Sequence, residues 1–196
     1  MMKRRDFLKK GAIGASLSLP LFLQLGCSTM LGRKPASDGG SWNAQAMIHK
    51  NNCPHGTWKF FPWHREYLVR FEDIIRTMSG DPAFTLPYWD WSAHPNLPTA
   101  FKTGSLALAG HGSRTADMSA AISKIANPSI CQQAMALQDF ETFIGSDDAS
   151  GQLEVRPHNG IHMVMGSYGG PMGNFTSPLD PVFWLHHCNV DRLWAQ

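Results

Sequence analysis

The sequence predicts an all-α bundle with long irregular loops, and three observations carry that expectation. Residues 63–78 set His64, Leu68, Phe71, Ile75 and Met78 on one helical stripe. The last segment opens on Asp180-Pro181, an N-cap followed by proline at the first helical position. It then runs Phe183, His187, Val190 and Trp194 along one face. Little of the chain alternates as a half-buried strand would, so helices packed on helices are the natural solution.

Taken in order, the first 27 residues read as an address rather than as fold. Lys3, Arg4, Arg5, Lys9 and Lys10, against the single Asp6, precede an uncharged, mostly apolar run from Gly11 to Leu25. That run is too short to span a bilayer comfortably and suits a signal peptide. Arg4-Arg5 followed by Asp6, Phe7, Leu8 and Lys9 resembles a twin-arginine export signal, the route for proteins already folded; an ordinary secretory signal is the alternative. Cys27 after Gly26 offers a lipoprotein cleavage site in which Gln24 stands where Leu is usual. A periplasmic, a membrane-anchored and a secreted product therefore all stay open, with membrane contact only through signal or lipid anchor. Residues 28–41 are small, polar and Gly-rich, a flexible linker, and the folded domain is expected over 42–196.

Within that domain, 42–51 has helical composition and ends at Asn51-Asn52. The 63–78 stripe buries His64, while Glu66 with Arg70 and Glu72 with Arg76 decorate its other sides at i,i+4 spacing. Gly80-Asp81-Pro82 ends this helix, 84–92 is aromatic and extended, and 93–114 is loop. Helices are expected over 115–126 and 129–144, a turn region over 145–152, and a short helix from near Pro157 carrying His158 and His162.

Composition narrows the function. An apolar fraction of 43% with 7 Trp supports a real core and excludes wholesale disorder. The net charge of +2 comes from the basic first ten residues; the rest is slightly acidic and lacks the basic footprint of a nucleic-acid binder. Cys27 belongs to the signal, which leaves Cys53, Cys131 and Cys188, an odd number for an oxidising compartment. The unusual count is 9 His, and six of them form two triplets: His49, His55, His64, and His158, His162 with one of the pair His186-His187.

His158 and His162, four apart, project from one face as two imidazoles holding one metal do. Bare imidazoles on inward helix faces are costly unless each nitrogen finds a partner. Imidazole alone suits zinc, copper, iron and nickel. No Glu-x-x-His repeat of a di-iron bundle occurs, and no carboxylate lies at ligand spacing between these histidines, as dinuclear zinc sites would want. Three neutral imidazoles per metal fit two redox-active copper ions with open positions for dioxygen.

Four blocks carry a family resemblance. CPHGTWKFFPWHREYL (53–68) resembles the first copper motif of the tyrosinases and polyphenol oxidases, the type 3 copper proteins. PYWDW (87–91) is similar to the aromatic block that follows it there. LEVRPHNGIH (153–162) and SPLDPVFWLHHCNVDRLW (177–194) resemble the two parts of the second copper motif. The resemblance implies a four-helix bundle enclosing a dinuclear copper site. His49, His55 and His64 would hold the first copper, and His158, His162 and His187 the second, with His186 beside the site. It also implies ortho-hydroxylation of monophenols and oxidation of catechols to o-quinones with dioxygen, Asn159 helping Glu154 orient a water that deprotonates the phenol. Whether a copper-delivery helper protein is a further partner stays open.

Other roles follow only from the same resemblance. Cys53 would form a thioether to His55 or remain a free or disulfide-bonded thiol; the thioether would leave Cys131 and Cys188 as a pair. Asp191 would pair with Arg192 or with a ligand imidazole. Phe175 would gate the first copper, with core packing as the alternative. His94 and His111 match nothing and read as solvated loop residues, and Met163 and Met165 as core. The chain ends nine residues past His187, before segments usual in the family, as a minimal open enzyme or a shortened one would. The rival functions are a hemocyanin-like dioxygen carrier without phenol turnover and a copper storage protein; the latter would favour clustered Met and Cys over six His.

Overall fold

The computed structural model describes residues 34, 35, 37–103, 106, 107, 117–167 and 170–196. The expected signal peptide, Cys27 and His111 lie outside the described residues, as do the first six residues of the expected linker. The order from there is α1 (Trp42–Asn52), α2 (Phe60–Ser79), α3 (Ser119–Ala126), α4 (Pro128–Met135), α5 (Phe140–Ile144), α6 (Asn159–Ser167) and α7 (Val182–Trp194). Single turns at Thr99–Phe101, Pro171–Gly173 and Ser177–Leu179, and a wider turn over Glu154–His158, join them. Among the described residues there is no strand, only an isolated antiparallel bridge between Gly145 and Ser150. No helix there is long and apolar enough to cross a membrane.

Local chemistry sets the helix ends. Ser41 accepts from the Ala44 N–H at 3.1 Å and starts α1. α2 begins three residues before the expected Trp63 and stops at Ser79, where Gly80 turns left-handed at φ 71°. Asn127 caps α4 through the Ile130 N–H at 3.0 Å, with Pro128 in the first turn. The single helix expected over 129–144 is in fact two. Asp139 takes the Thr142 N–H at 2.7 Å, a local bond that starts a new helix instead of continuing the old one. Asp180 accepts from the Val182 N–H at 2.9 Å, so the cap read from Asp180-Pro181 is formed.

The core gathers around α7, which packs against α2 and α4. Every residue from Val182 to Asp191 is buried, so the helix is enclosed on all sides rather than on the one face its periodicity suggested. Trp184 stacks on Phe71 of α2 with ring centroids 3.5 Å apart at 8°, and Tyr67 lies 4.9 Å away. Two expectations are corrected here. Glu72 is buried, not solvated, because its carboxylate accepts the Leu86 N–H at 2.8 Å while pairing with Arg76 at 2.7 Å. Cys131 and Cys188 are separate buried thiols rather than a disulfide, each serving as a small apolar core residue.

Candidate metal centre

Four helices and two connections bring the six histidines together. His49 comes from α1, His55 from the loop between α1 and α2, and His64 from the buried stripe of α2. Their ring centroids lie 5.1, 5.5 and 5.9 Å apart. His158 closes the Glu154–His158 turn, His162 follows on α6, and His187 stands on α7, with centroids 4.6, 4.9 and 5.4 Å apart. The triplets meet where His64 and His187 stack at 4.1 Å and 8°. In each cluster the residues offer ligand atoms all within 4.8 Å of one another.

Hydrogen bonds fix which nitrogen is bare on four of the six rings. A carbonyl oxygen only accepts, so a ring nitrogen bonded to one carries the proton. His49 Nδ1 donates to the Phe175 carbonyl at 2.8 Å, His64 Nδ1 to the Phe60 carbonyl at 2.9 Å and His162 Nδ1 to the Met172 carbonyl at 2.7 Å. His158 Nδ1 lies 2.9 Å from Asn159 Oδ1. Nε2 is then left as a lone pair on all four. His49 Nε2 and His158 Nε2 are buried without any hydrogen-bond partner, and His162 Nε2 and His187 Nε2 face each other at 3.2 Å. Bare buried lone pairs of this kind are the mark of an ion's ligands.

His186 is the exception, and Trp91 decides it. The second cluster holds four imidazoles, His186 included. The Trp91 indole, which can only donate, bonds His186 Nδ1 at 3.1 Å. A neutral His186 therefore carries its proton on Nε2 and has no lone pair left for a metal. Three other imidazoles remain in the second cluster, and the first holds three imidazoles beside the Cys53 thiol.

Burial keeps these rings uncharged. Desolvation lowers His49 and His162 to about 4, holds His64, His158, His186 and His187 well below the usual imidazole value, and lowers His55. Neutral imidazole is the metal-binding form. No Asp or Glu belongs to either cluster. Cys53 does belong to the first, its Sγ 3.7 Å from His55 Nε2 and 3.6 Å from His64 Nε2. Desolvation raises the thiol, which favours the protonated form. Carboxylate-free clusters of neutral imidazoles suit copper or zinc and lack the Glu ligands of a di-iron site.

A cavity of about 180 Å³ opens over the clusters, with His49, His55, His158 and His162 in its lining. Phe175 is 57% exposed, at the cavity wall, its ring 5.2 Å from that of His55, so it stands over the first cluster rather than packing in the core. Met165 is buried, but Met163 is 67% exposed on the cavity wall and is no core residue. Asn159 also lines the cavity, whereas Glu154 lies buried outside that lining. Glu154 Oε1 accepts the Gly56 N–H at 2.8 Å, Oε2 has no partner, and desolvation raises the carboxyl above its ordinary range. Asp191 bonds neither Arg192 nor a histidine: Arg65 reaches it first at 2.6 Å, while Arg192 turns to Asp90 at 3.2 Å and Asn189 at 2.8 Å. His94 is exposed, as expected. Trp91 was read only as part of the aromatic block 87–91, and the carbonyls of Met172 and Phe175 were not singled out, since a hydrogen bond to a distant backbone leaves no mark in residue type.

A family model for the common central domain of tyrosinase matches residues 39–128 and 109–196. The chain belongs to the tyrosinase family. Among the tyrosinases and polyphenol oxidases it resembles, it is 35% identical over 175 residues to tyrosinase HcTyr1 of Hahella sp. (strain CCB-MM4), covering 74% of this chain and 37% of that protein. It is 32% identical over 177 residues to chloroplastic polyphenol oxidase E of Solanum lycopersicum, covering 72% and 30%. The chain thus spans about a third of the length of these curated relatives. The polyphenol oxidase of Grenache (Vitis vinifera) superposes with a TM-score of 0.74 at 23% identity, covering 94% of this chain and 68% of that one. Tyrosinase from Burkholderia thailandensis does so at 0.68 and 17%, covering 97% and 59%. These tyrosinase-family structures share the all-α core described above.

Proposed function

We propose that the protein is a copper-dependent oxidase that uses dioxygen to ortho-hydroxylate monophenols and to oxidise catechols to o-quinones. One observation carries this reading: two facing triplets of neutral, buried or half-buried imidazoles lie beneath a single cavity of about 180 Å³. His49, His55 and His64 would hold one copper and His158, His162 and His187 the other. Bound there, the ions supply two-electron redox chemistry with dioxygen. The chain's own residues do the rest. Phe175 and Met163 offer apolar faces to an entering ring, and the carbonyl-bonded Nδ1 atoms hold the imidazoles in one orientation.

A phenol must lose a proton with a pKa of about 10, which calls for a base. Glu154, raised by desolvation and with Oε2 unpartnered, has the character of such a base, reached through water that Asn159 would orient. Arg4-Arg5 and the apolar run behind them support export by the twin-arginine route, which would let copper enter a folded chain before transport.

The test is oxygen uptake by the copper-loaded protein with paired monophenol and catechol substrates. Two coppers per chain and uptake on both substrates are expected. Reversible dioxygen binding without quinone would support the hemocyanin-like alternative. A preparation that binds only zinc and takes up no oxygen would overturn the scheme.

A further inference from the structure

The segment 171–177 touches both metal clusters and the cavity at once. The Met172 carbonyl accepts from His162 Nδ1 at 2.7 Å, and the Phe175 carbonyl, three residues on, accepts from His49 Nδ1 at 2.8 Å. One short stretch of backbone therefore fixes an imidazole of each cluster. Met172, Gly173, Asn174, Phe175 and Ser177 also form one wall of the cavity. The stretch is braced from within: the Asn174 N–H donates to the Pro171 carbonyl at 3.1 Å, and the Ser177 N–H to the Asn174 carbonyl at 3.0 Å. Asn174 Oδ1 accepts the Thr176 N–H at 2.8 Å. A segment bonded to itself in this way moves as a unit.

Its seating rests on a glycine pair. α6 packs against Pro171–Gly173, and there Gly166 of α6 meets Gly173 backbone to backbone. A Cβ on Gly166 would lie 2.4 Å from Gly173 Cα and 2.7 Å from its nitrogen, contacts that only movement of the segment can relieve. A Cβ on Gly173 would meet Gly166 Cα at a milder 3.1 Å. Nothing but backbone stands in the way, so no side chain can swing aside to absorb the change.

We propose that residues 171–177 act as one carbonyl strap that positions His49 and His162 together, with the Gly166–Gly173 contact setting its height. Gly166 is then a positioning residue for both metals, although it offers neither of them a ligand atom. Lifting the strap withdraws two acceptors at once, freeing both rings to turn and to change tautomer. The inference rests on the two-metal reading above.

The experiment pairs chelator competition for copper with nitrogen NMR of histidine-labelled protein, on the full chain and its Gly166→Ala variant. The wild type is expected to bind two equivalents and to show fixed Nδ1–H signals for His49 and His162. In Gly166→Ala both equivalents should weaken by roughly 10- to 100-fold, the range for losing the outer hydrogen bond of a metal-bound imidazole. Both Nδ1–H signals should shift or broaden together, while His64 Nδ1–H, bonded within α2, stays put. Gly173→Ala should do the same to a smaller degree, and it carries the test if Gly166→Ala does not fold. Loss at one equivalent only, or two wild-type affinities in the folded variants, overturns the strap. A wild type that fails to bind two equivalents overturns the metal reading instead.

Discussion

At the level of single residues, the second cluster turns on one proton. Four imidazoles converge, and the Trp91 indole at 3.1 Å from His186 Nδ1 removes one of them from the donor set. Trp91→Phe takes away the N–H while keeping an aromatic ring in place. His186 should then lose its fixed Nε2–H tautomer in nitrogen NMR, and Nε2 becomes available as a fourth donor, altering the copper spectrum of the second site. An unchanged tautomer in that variant would remove Trp91 from this role. Asn159 poses a different question, because its Oδ1 is engaged by His158 Nδ1 at 2.9 Å. If its amide also orients the water that deprotonates monophenols, Asn159→Ala should depress monophenol hydroxylation more than catechol oxidation. Equal loss of both rates would mean that Asn159 acts only by holding the His158 ring.

Elements differ in how plainly their sequence announced them. α2 and α7 carry strong local signals, and the structure places His64 and His187 on buried faces as their stripes required. The start of α7 is the clearest case. Asp180 accepts the Val182 N–H at 2.9 Å and is itself buried, so Asp180→Ala would strand that donor away from water. We expect denaturant unfolding to show a loss of about 1–2 kcal/mol, largely restored in Asp180→Asn; a change within a few tenths would show the cap to be idle. The helix break at Asp139 escaped notice because composition over 129–144 favours helix throughout, and only the Thr142 N–H bond reveals the new start. Glu72 was misread for a related reason. Its i,i+4 partner Arg76 reads as a surface pair, whereas the bond that buries it comes from the Leu86 backbone, 14 residues away. The clustered histidines were legible because metal binding demands particular side chains at particular spacings. The strap at 171–177 was not, since it works through carbonyl groups that every residue owns.

For the whole molecule, the histidines make folding a proton-linked event. Seven imidazoles are held below the ordinary value of 6.5 by burial, two of them at about 4. Between those limits the unfolded chain binds protons that the metal-free fold refuses, so stability rises with pH through this window and is lost as pH falls. Three carboxyls act the other way: Glu72, Glu154 and Asp191 are raised by burial, so across their own window the fold holds more protons than the unfolded chain. The imidazoles outnumber them, and each proton of difference is worth about 1.4 kcal/mol per pH unit. Urea unfolding of metal-free protein at pH 7, 6 and 5 should therefore give steadily lower midpoints. Copper competes with those protons for the same bare nitrogens, so the loaded protein should hold its midpoint to lower pH before it too declines. A metal-free midpoint that stays level from pH 7 to 5 would mean that the rings are not buried as neutral bases, and the two triplets would then be no ready-made site for an ion.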